Sequence, residues 1–387
     1  MPNMTDYLQW RGDITLAERP FNAVDNLVLA TLSYVDFSDI VPNEASGASI
    51  TVTDAVNTLL ERANGDVKPY IRSMAKIDEP FLAALASTAR FGTARLRAHV
   101  DTQATDYNGQ FSALTIDLPH VPTYVSFRGT DSTLVGWKEN FMLSFKISPA
   151  QVAAVHYLKS RLDEGGELQV GGHSKGGNLA AYAALNTSGG ELARITRVWS
   201  NDGPGMASHI LPTGGFERLC NRLVRIVPAF SFVGMFFNDP ALPYRVVKSS
   251  GDGAPQHDPL TWQVTRSSFD WCEDGLDPSC MVINDTLRDW LESIPVDERE
   301  RFTNELFSAL EESGAVELSD VAHVGMGGLS TIATKLSKQD KAMRDIWKRL
   351  ATIAAGNLAA DARERASGKL ADLKESASEL VWREESV

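Results

Sequence analysis

A serine flanked by glycines is the clearest candidate for chemistry in this sequence. The segment LQVGGHSKGGNLAAYAAL, residues 168–185, contains Gly172, Ser174 and Gly176 in the spacing G-x-S-x-G. An apolar run precedes the motif and a helical pattern follows it, and in that context the spacing exposes a nucleophilic serine on a sharp turn. The glycines leave room where side chains would collide with the neighbouring strand or helix. The pattern therefore predicts a nucleophile at Ser174 rather than a coincidental tight turn.

A serine hydroxyl needs a base to take its proton, and in this architecture a histidine normally follows the serine in the chain. The histidines after Ser174 are His209, His257 and His323. His257 is the best placed, because it lies in a Gly/Pro-rich loop just past the predicted strand YRVVKSS. His209 comes too early, and His323 falls in a helical region. His173, adjacent to the serine, is expected to pack or hydrogen-bond beneath the turn.

An acyl-transfer site also needs an acid and donors for the developing oxyanion. The acid that orients the base is expected between serine and histidine, where Asp202, Asp239 and Asp252 are unranked candidates. One oxyanion donor is normally the backbone N–H after the nucleophile, here that of Lys175. The second comes from a loop after an earlier strand, and VSFRGTDSTLVGWKENF, which contains Thr130, supplies such a loop.

The surrounding pattern indicates an α/β core. Apolar spacing predicts helices at residues 20–35, 51–63, 79–90, 148–163 and 175–186. Pro20 is expected in the first turn of the first helix. Short apolar runs predict the strands RLRAHVDTQAT, FSALTIDLP, PTYVSFRG, ELQVGG, ITRVWS, RLVRIVP and YRVVKSS, with Asn108-Gly109 as a turn between the first two. Because strands alternate with helices, we expect a mostly parallel sheet with helices on both faces.

The composition excludes several classes of protein. A formal net charge of −13 repels phosphate backbones, so no nucleic acid partner is expected. The unpaired spacing of Cys220, Cys272 and Cys280 favours a reducing compartment. Since neither a signal peptide nor a run of about 18 apolar residues is found, we expect a cytoplasmic protein with no transmembrane segment. Neither metal-ligand spacing nor a dinucleotide motif occurs, so no metal and no cofactor are predicted.

Two separated segments carry a resemblance to a known family. FRGTDSTLVGWKENF and GGHSKGGNLA together resemble the class 3 (fungal triacylglycerol lipase-like) α/β-hydrolases, in which an FRGT-type segment ends a core strand and contributes to the oxyanion hole. Trp137 matches the tryptophan that follows that segment. A closer resemblance, over roughly residues 6–270, is to the bacterial Mbeg1-like family of the same superfamily, through YLQWRGDITLAERPFNAVDNLVLATLSYVDF and VVKSSGDGAPQHDPLTWQV.

The resemblance implies roles for individual residues: Ser174 as nucleophile, His257 as the histidine, and Thr130 and Lys175 at the oxyanion hole. It does not supply the acid. Class 3 lipases place an aspartate shortly after an R-V-x-N-type strand, whereas RLVRIVPAFSFVGMFF has Ser231 at about that point. Either Asp202, Asp239 or Asp252 is the acid, or the site works as a dyad.

The resulting expectation is an α/β-hydrolase domain at residues 1–275 and a helical C-terminal region at 276–387. In that region Met343, Ile346, Leu350 and Ile353 keep 3-4-3 spacing. This stripe fits helix-mediated self-association, but fewer than about four uninterrupted heptads favour a helix packed on its own domain.

Two functions fit these patterns. The leading hypothesis is a serine hydrolase whose partner is a small-molecule ester or lipid substrate. The apolar segment AFSFVGMFF, residues 229–237, would suit an acyl chain if it were exposed near Ser174, but it also fits an ordinary core. The alternative is a catalytically degenerate hydrolase fold that acts as a binding or scaffold module.

Overall fold

An eight-stranded sheet forms the centre of the protein, and its strands lie side by side in chain order. The computed structural model describes residues 1–73, 75–103, 110–130, 138–139, 142–143, 145–219, 221–231, 233–278, 280–281, 284, 295, 298–301, 303–304 and 308. The strands are β1 (Ile50–Thr51), β2 (Arg95–Gln103), β3 (Gln110–Asp117), β4 (Thr123–Phe127), β5 (Leu168–His173), β6 (Ile195–Asn201), β7 (Leu223–Pro228) and β8 (Arg245–Val247). A separate hairpin pairs β9 (Val264–Thr265) with β10 (Ser268–Phe269).

The sheet changes direction at β4. Strands β1 to β4 pair antiparallel, whereas β4 to β8 pair parallel. The predicted α/β fold with a mostly parallel sheet is therefore found, with an antiparallel extension on one side. In the parallel part His173 pairs with Asn201, so the residues that follow these strands emerge side by side at one edge of the sheet.

Helices cover both faces of this sheet. In the described residues they are α1 (Met4–Arg11), α2 (Ala23–Leu32), α3 (Val52–Ala63), α4 (Glu79–Ser87), α5 (Pro149–Asp163), α6 (Lys175–Leu185) and α7 (Gly189–Ala193). Short 3₁₀ helices occur at Lys68–Tyr70, Ser208–Ile210, Gly215–Leu219, Ala254–His257 and Pro259–Thr261. Because β4, β5 and β6 advance in one direction, right-handed crossovers place α5 and α6 on the same face.

Two hydrophobic clusters, one on each face, hold the layers together. Leu158 of α5 and Leu179 of α6 pack with Val125 and Val170 of the sheet. The other cluster joins α1 to α4 to the opposite face, where the sheet contributes Leu114, Ile116 and Tyr124. Neighbours such as Tyr124 and Val125 therefore belong to different clusters, as the alternation of side chains along a strand requires.

Helix starts follow their caps. The predicted start of α5 is confirmed, since the Ser148 side chain accepts from the N–H of Gln151 and Pro149 lies in the first turn. The prediction for α2 is wrong at its first turn. Asn22 caps the helix by accepting from the N–H groups of Val24 and Asp25, so Pro20 lies outside it.

Other predictions lie outside the described residues. They are the turn at Asn108-Gly109, the match at Trp137, and most of the C-terminal region at 276–387, including its apolar stripe. The division at residue 275 therefore stays a prediction. Within the described part of the chain, no helix combines the length and apolar character needed to cross a membrane.

Candidate active site

The turn that contains Ser174 has the conformation of a nucleophile elbow. Ser174 links β5 directly to α6 and has φ of 58° and ψ of −130°, a region that non-glycine residues rarely adopt. The turn needs close backbone approach, because a Cβ on Gly176 would lie 2.1 Å from the carbonyl oxygen of Phe127 at the end of β4. The small residues of the motif thus allow the first turn of α6 to pack on the neighbouring strand.

Ser174, His257 and Asp202 form a line of hydrogen bonds. The Nε2 atom of His257 lies 3.0 Å from the Oγ atom of Ser174, and its Nδ1 atom lies 2.6 Å from Oδ2 of Asp202. The serine and aspartate are buried, whereas the histidine side chain keeps 15% exposure. With a proton on Nδ1, bound to the aspartate, Nε2 can accept the serine proton. This arrangement can carry out base-assisted nucleophilic attack.

The loop that carries His257 is tied down on both sides of the histidine. The preceding residue, Gln256, accepts a 2.9 Å hydrogen bond from Nε1 of Trp262 at its carbonyl oxygen. The following residue, Asp258, accepts from the N–H groups of Lys76 and Leu260. Burial raises the pKa of Asp258, and its hydrogen bonds from backbone N–H groups oppose that shift. Asp258 therefore fixes the loop, while Asp202 contacts the imidazole.

Asp202 directly follows β6, and two donors satisfy its second oxygen. Ser231 Oγ donates a hydrogen bond to Oδ1 of Asp202, and the N–H of Gly234 donates to the same oxygen at 3.1 Å. Ser231 is the residue that stands where the resemblance led us to expect an aspartate. Here it hydrogen-bonds to the carboxylate of Asp202, which follows the neighbouring strand β6.

The other candidate acids and histidines lie elsewhere. Neither Asp239 nor Asp252 hydrogen-bonds to His257 among the described residues; the Asp239 carboxylate accepts from the N–H of Ala241 and lines a small cavity beside Arg225. His209 lies 2.7 Å from the carbonyl oxygen of Phe145. His323 is outside the described residues. The structure thus brings Asp202, of the three acids considered, to the histidine.

His173 lies beneath the elbow, in contact with His257 and with Tyr34, which follows α2. Its ring is 4.7 Å from that of His257 between centroids, and its Nδ1 atom is 2.8 Å from the hydroxyl of Tyr34. Burial, reinforced by the nearby His257, holds the pKa of His173 well below its usual value. Sequence reasoning missed Tyr34, whose partner is far along the chain.

The predicted oxyanion positions border the elbow. Thr130 is buried, and its neighbour Gly129 is so close to the elbow that a Cβ there would lie 2.7 Å from the carbonyl oxygen of His173. The N–H of Lys175 is in the first turn of α6, where backbone donors have no partner within the helix. The arginine of the FRGT segment, Arg128, binds the Asp101 carboxylate through both Nη atoms and so anchors this turn to β2.

The Lys175 side chain points away from bulk solvent into an ion pair. Its Nζ atom lies 2.8 Å from Oε2 of Glu139 and 2.8 Å from the carbonyl oxygen of Gln110, and it is almost fully buried. The pair joins the start of α6 to the segment that follows the FRGT turn. Among the described residues, no group of three or more His, Cys, Asp or Glu side chains could hold a metal ion.

Comparisons with solved structures find lipases at low similarity. A fungal lipase is 15% identical over 71% of this chain and 94% of its own, with a TM-score of 0.37. The M37 lipase is 17% identical over 56% of this chain and 70% of its own, with a TM-score of 0.35. The Rhizomucor miehei lipase, in a propeptide complex, is 12% identical over 57% and 83%, with a TM-score of 0.32.

At the level of sequence, curated proteins and family models give different results. No curated protein matches this chain. The Mbeg1-like family model matches residues 85–308, which are more than half of the chain and include Ser174, Asp202 and His257. The chain therefore belongs to the Mbeg1-like family.

Proposed function

We propose that this protein is a serine hydrolase that cleaves a carboxylic ester through an acyl-enzyme. The observation that carries the proposal is the continuous hydrogen-bonded line from Ser174 through His257 to Asp202, with the serine on a strained turn at the sheet edge. Nucleophile, base and orienting acid in hydrogen-bond reach are the geometric signature of a serine triad, whatever the order of the residues in the chain.

In the proposed acylation step, Ser174 Oγ attacks the ester carbonyl carbon while His257 Nε2 takes the hydroxyl proton. The carbonyl π electrons move to oxygen and give a tetrahedral oxyanion. Collapse of this intermediate breaks the bond to the alkoxy group, which leaves as an alcohol with the proton from Nε2. Asp202, hydrogen-bonded to Nδ1, stabilises the imidazolium that exists between these proton transfers.

Deacylation repeats the sequence with water as the nucleophile. His257 takes a proton from water, the hydroxide attacks the acyl carbon, and the proton returns to Ser174 Oγ as the acid departs. Each oxyanion would accept a hydrogen bond from the backbone N–H of Lys175. The neighbouring Gly129–Thr130 turn would supply the second hydrogen bond. Both positions border the elbow, because a Cβ on Gly129 would lie 2.7 Å from the carbonyl oxygen of His173 and Lys175 follows the serine.

The residues near the site favour a substrate with an apolar acyl chain. Met235, Phe236 and Phe237 are half-buried in the loop that also carries Ser231 and Gly234. The Phe236 and Phe237 rings meet edge to face at 4.9 Å between centroids. Because this loop contacts the acid directly, an apolar group bound along it would be near the site. We therefore propose a lipid-like ester rather than a charged small molecule.

A non-catalytic scaffold gains no support from this geometry. A degenerate site is expected to lose the contact between nucleophile and base, whereas Nε2 of His257 and Oγ of Ser174 are 3.0 Å apart. The hydroxyl, imidazole and carboxylate are also oriented along one line, an arrangement that a scaffold function does not require.

Labelling with a fluorophosphonate tests the proposal without knowledge of the substrate. We expect wild-type protein to be labelled covalently and Ser174→Ala to remain unlabelled. Ser87→Ala, an exposed serine on α4, is the matched control and should be labelled like wild type. Folded wild-type protein that neither reacts with the probe nor hydrolyses p-nitrophenyl esters of acetate, butyrate and octanoate would overturn the proposal. Faster turnover of octanoate than acetate supports the apolar acyl chain.

A further inference from the structure

The loop after β7 surrounds the carboxylate of Asp202. Oδ2 of this carboxylate contacts His257, so Oδ1 is the oxygen that the rest of the fold must satisfy. It receives two donors from one loop, the hydroxyl of Ser231 and the N–H of Gly234. Asp202 and Ser231 both have 0% exposure. Since water cannot solvate a carboxylate at this depth, these donors replace it.

The backbone at Asp202 increases this dependence on the loop. Asp202 has φ of 48°, in the left-handed region, where most non-glycine residues are strained. Such a conformation persists only where the surrounding structure holds it. The fit is close on the donor side as well, since a Cβ on Gly234 would lie 2.3 Å from Oδ1 of Asp202. The loop backbone therefore lies directly against the carboxylate, with no room for a side chain at position 234.

Arg225 of β7 hydrogen-bonds to this same loop. One Nη atom donates to the carbonyl oxygen of Gly234 at 3.0 Å, and the other donates to Oδ1 of Asn238 at 2.7 Å. The guanidinium also lies 5.8 Å from the ring centroid of Tyr244. A weaker hydrogen bond, of 3.4 Å, goes to the carbonyl oxygen of Leu242, so all the described acceptors of Arg225 are neutral oxygens.

A buried arginine bound to neutral oxygens is an unusual choice for stability alone. Burial lowers the pKa of Arg225 to about 10, while Tyr244, Asp202 and Asp239 act in the opposite direction. Burying a charge without a hydrogen-bonded counter-charge is unfavourable, and an apolar side chain would fill such a position at less cost. What the guanidinium adds is several directed donors in a rigid plane, which suits a role in fixing a backbone.

We propose that Ser231 and Arg225 are positioning residues of the hydrolase reaction. Ser231 fixes the Asp202 carboxylate by direct hydrogen bonding, and Arg225 fixes the loop that delivers both the Ser231 hydroxyl and the Gly234 N–H. The inference rests on the proposed function, because it assigns these residues to the reaction through Asp202. Neither residue contacts the reacting atoms.

The first test compares Ser231→Ala with wild type in the rate of fluorophosphonate labelling at Ser174. We expect labelling to slow roughly 10- to 100-fold, because a hydrogen bond to a charged acceptor is lost. With p-nitrophenyl butyrate, kcat should fall while KM stays within about twofold. The reason is that the Ser231 hydroxyl, through Asp202, stabilises the transition state and does not contribute to substrate binding. Ser231→Thr, which keeps a hydroxyl, should recover part of the rate.

A double-mutant cycle with Asp202→Asn separates positioning from general structural support. If Ser231 acts through the acid, Ser231→Ala should slow the residual labelling of Asp202→Asn by less than about threefold, although it slows wild type much more. If Ser231→Ala slows labelling by the same factor in wild type and in Asp202→Asn, the effect does not pass through Asp202 and the assignment of Ser231 is overturned.

Arg225 is tested with two replacements and a matched control. Arg225→Met should slow labelling at least 10-fold per folded molecule, and Arg225→Lys, which keeps a charge with fewer directed donors, should fall between it and wild type. Arg197→Met, at an exposed arginine of neighbouring β6, should leave labelling unchanged. If Arg225→Met does not fold, the test uses Arg225→Lys, both alone and in a double-mutant cycle with Asp202→Asn. A wild-type labelling rate in every Arg225 variant that folds would overturn this role.

These outcomes are distinguishable from failure of the proposed function. If folded wild type is neither labelled nor able to hydrolyse the p-nitrophenyl esters, the hydrolase assignment fails before any loop variant is compared. If wild type is labelled, Ser174→Ala is not, and Ser231→Ala reacts at the wild-type rate, the hydrolase assignment stands and the positioning inference fails.

Discussion

The imidazole rings of His173 and His257 lie 4.7 Å apart between centroids, with planes tilted by 36°. One ring is buried beneath the elbow and the other faces Ser174. In the proposed reaction His257 becomes positively charged for part of each cycle. A second charge at this distance would oppose that step, so the low pKa of His173 keeps the neighbouring ring neutral when the charge forms.

The same burial predicts a loss of stability in acid. The pKa of His173 is lower in the folded than in the unfolded protein, so the unfolded chain binds this proton first as the pH falls. Its contribution to stability is therefore present above about pH 6.5 and is lost below it, by up to about 1.4 kcal/mol per pH unit. We expect His173→Gln to show a shallower decline of the unfolding free energy between about pH 6.5 and pH 5 in urea titrations.

His156→Gln is the control for this titration, because His156 is exposed on α5. Its decline should match that of wild type. Equal declines in wild type and His173→Gln would contradict the role assigned to the buried ring.

The three candidate acids give a second prediction. Asp202→Asn removes the negative partner of Nδ1 and favours the wrong tautomer of His257, so labelling and ester hydrolysis should fall on the order of 10³- to 10⁴-fold. Asp239→Asn and Asp252→Asn are matched changes at carboxylates that do not bond the histidine, and each should retain activity within about threefold. A full loss in either of these, with Asp202→Asn active, would show that another acid serves.

The elbow gives a third prediction. In Gly176→Ala the new Cβ would lie 2.1 Å from the carbonyl oxygen of Phe127, so either α6 or β4 must shift. We expect a loss of several kcal/mol in unfolding free energy, as overpacking of a tight contact causes, together with slower labelling of Ser174. Gly190→Ala is the control, because the Cβ there meets no atom within 4 Å and Gly190 lies in α7. It should be neutral or stabilising.

Local patterns were sufficient for the elements that position the elbow. Apolar spacing over residues 148–163 predicted α5, and glycines between an apolar run and a helix predicted the turn at Ser174. The strand β1 was missed because two residues carry no periodicity. The start of α2 was misplaced because Asn22, a stronger cap than the Pro20 signal, follows two residues later.

The surroundings of the candidate acid depend on tertiary contacts that no local pattern contains. Asp202, Asp239 and Asp252 all follow predicted strands, so the sequence did not rank them. What separates them is the parallel register that places the residue after Asn201 beside Ser174, and the return of the loop with Ser231 across 29 residues of chain. The contact of Tyr34 with His173 joins residues that are 139 positions apart, so local sequence patterns could not predict it either. A polar residue directly after a central strand was the one available signal for Asp202.

The ion pair between Lys175 and Glu139 gives the last prediction. Both side chains are almost fully buried, and the second carboxylate oxygen of Glu139 has no hydrogen-bond partner among the described residues. Lys175→Met leaves this buried carboxylate uncompensated, so we expect a loss of about 3–5 kcal/mol in unfolding free energy. Because the backbone N–H of residue 175 remains, labelling of the folded fraction should fall less than 10-fold.

The double variant Lys175→Met/Glu139→Leu should recover most of the lost stability, since it removes both charges. Lys248→Met breaks an exposed pair with Asp270 and should leave stability nearly unchanged. A double variant no more stable than Lys175→Met would show that the lysine stabilises the elbow by packing rather than by compensating Glu139.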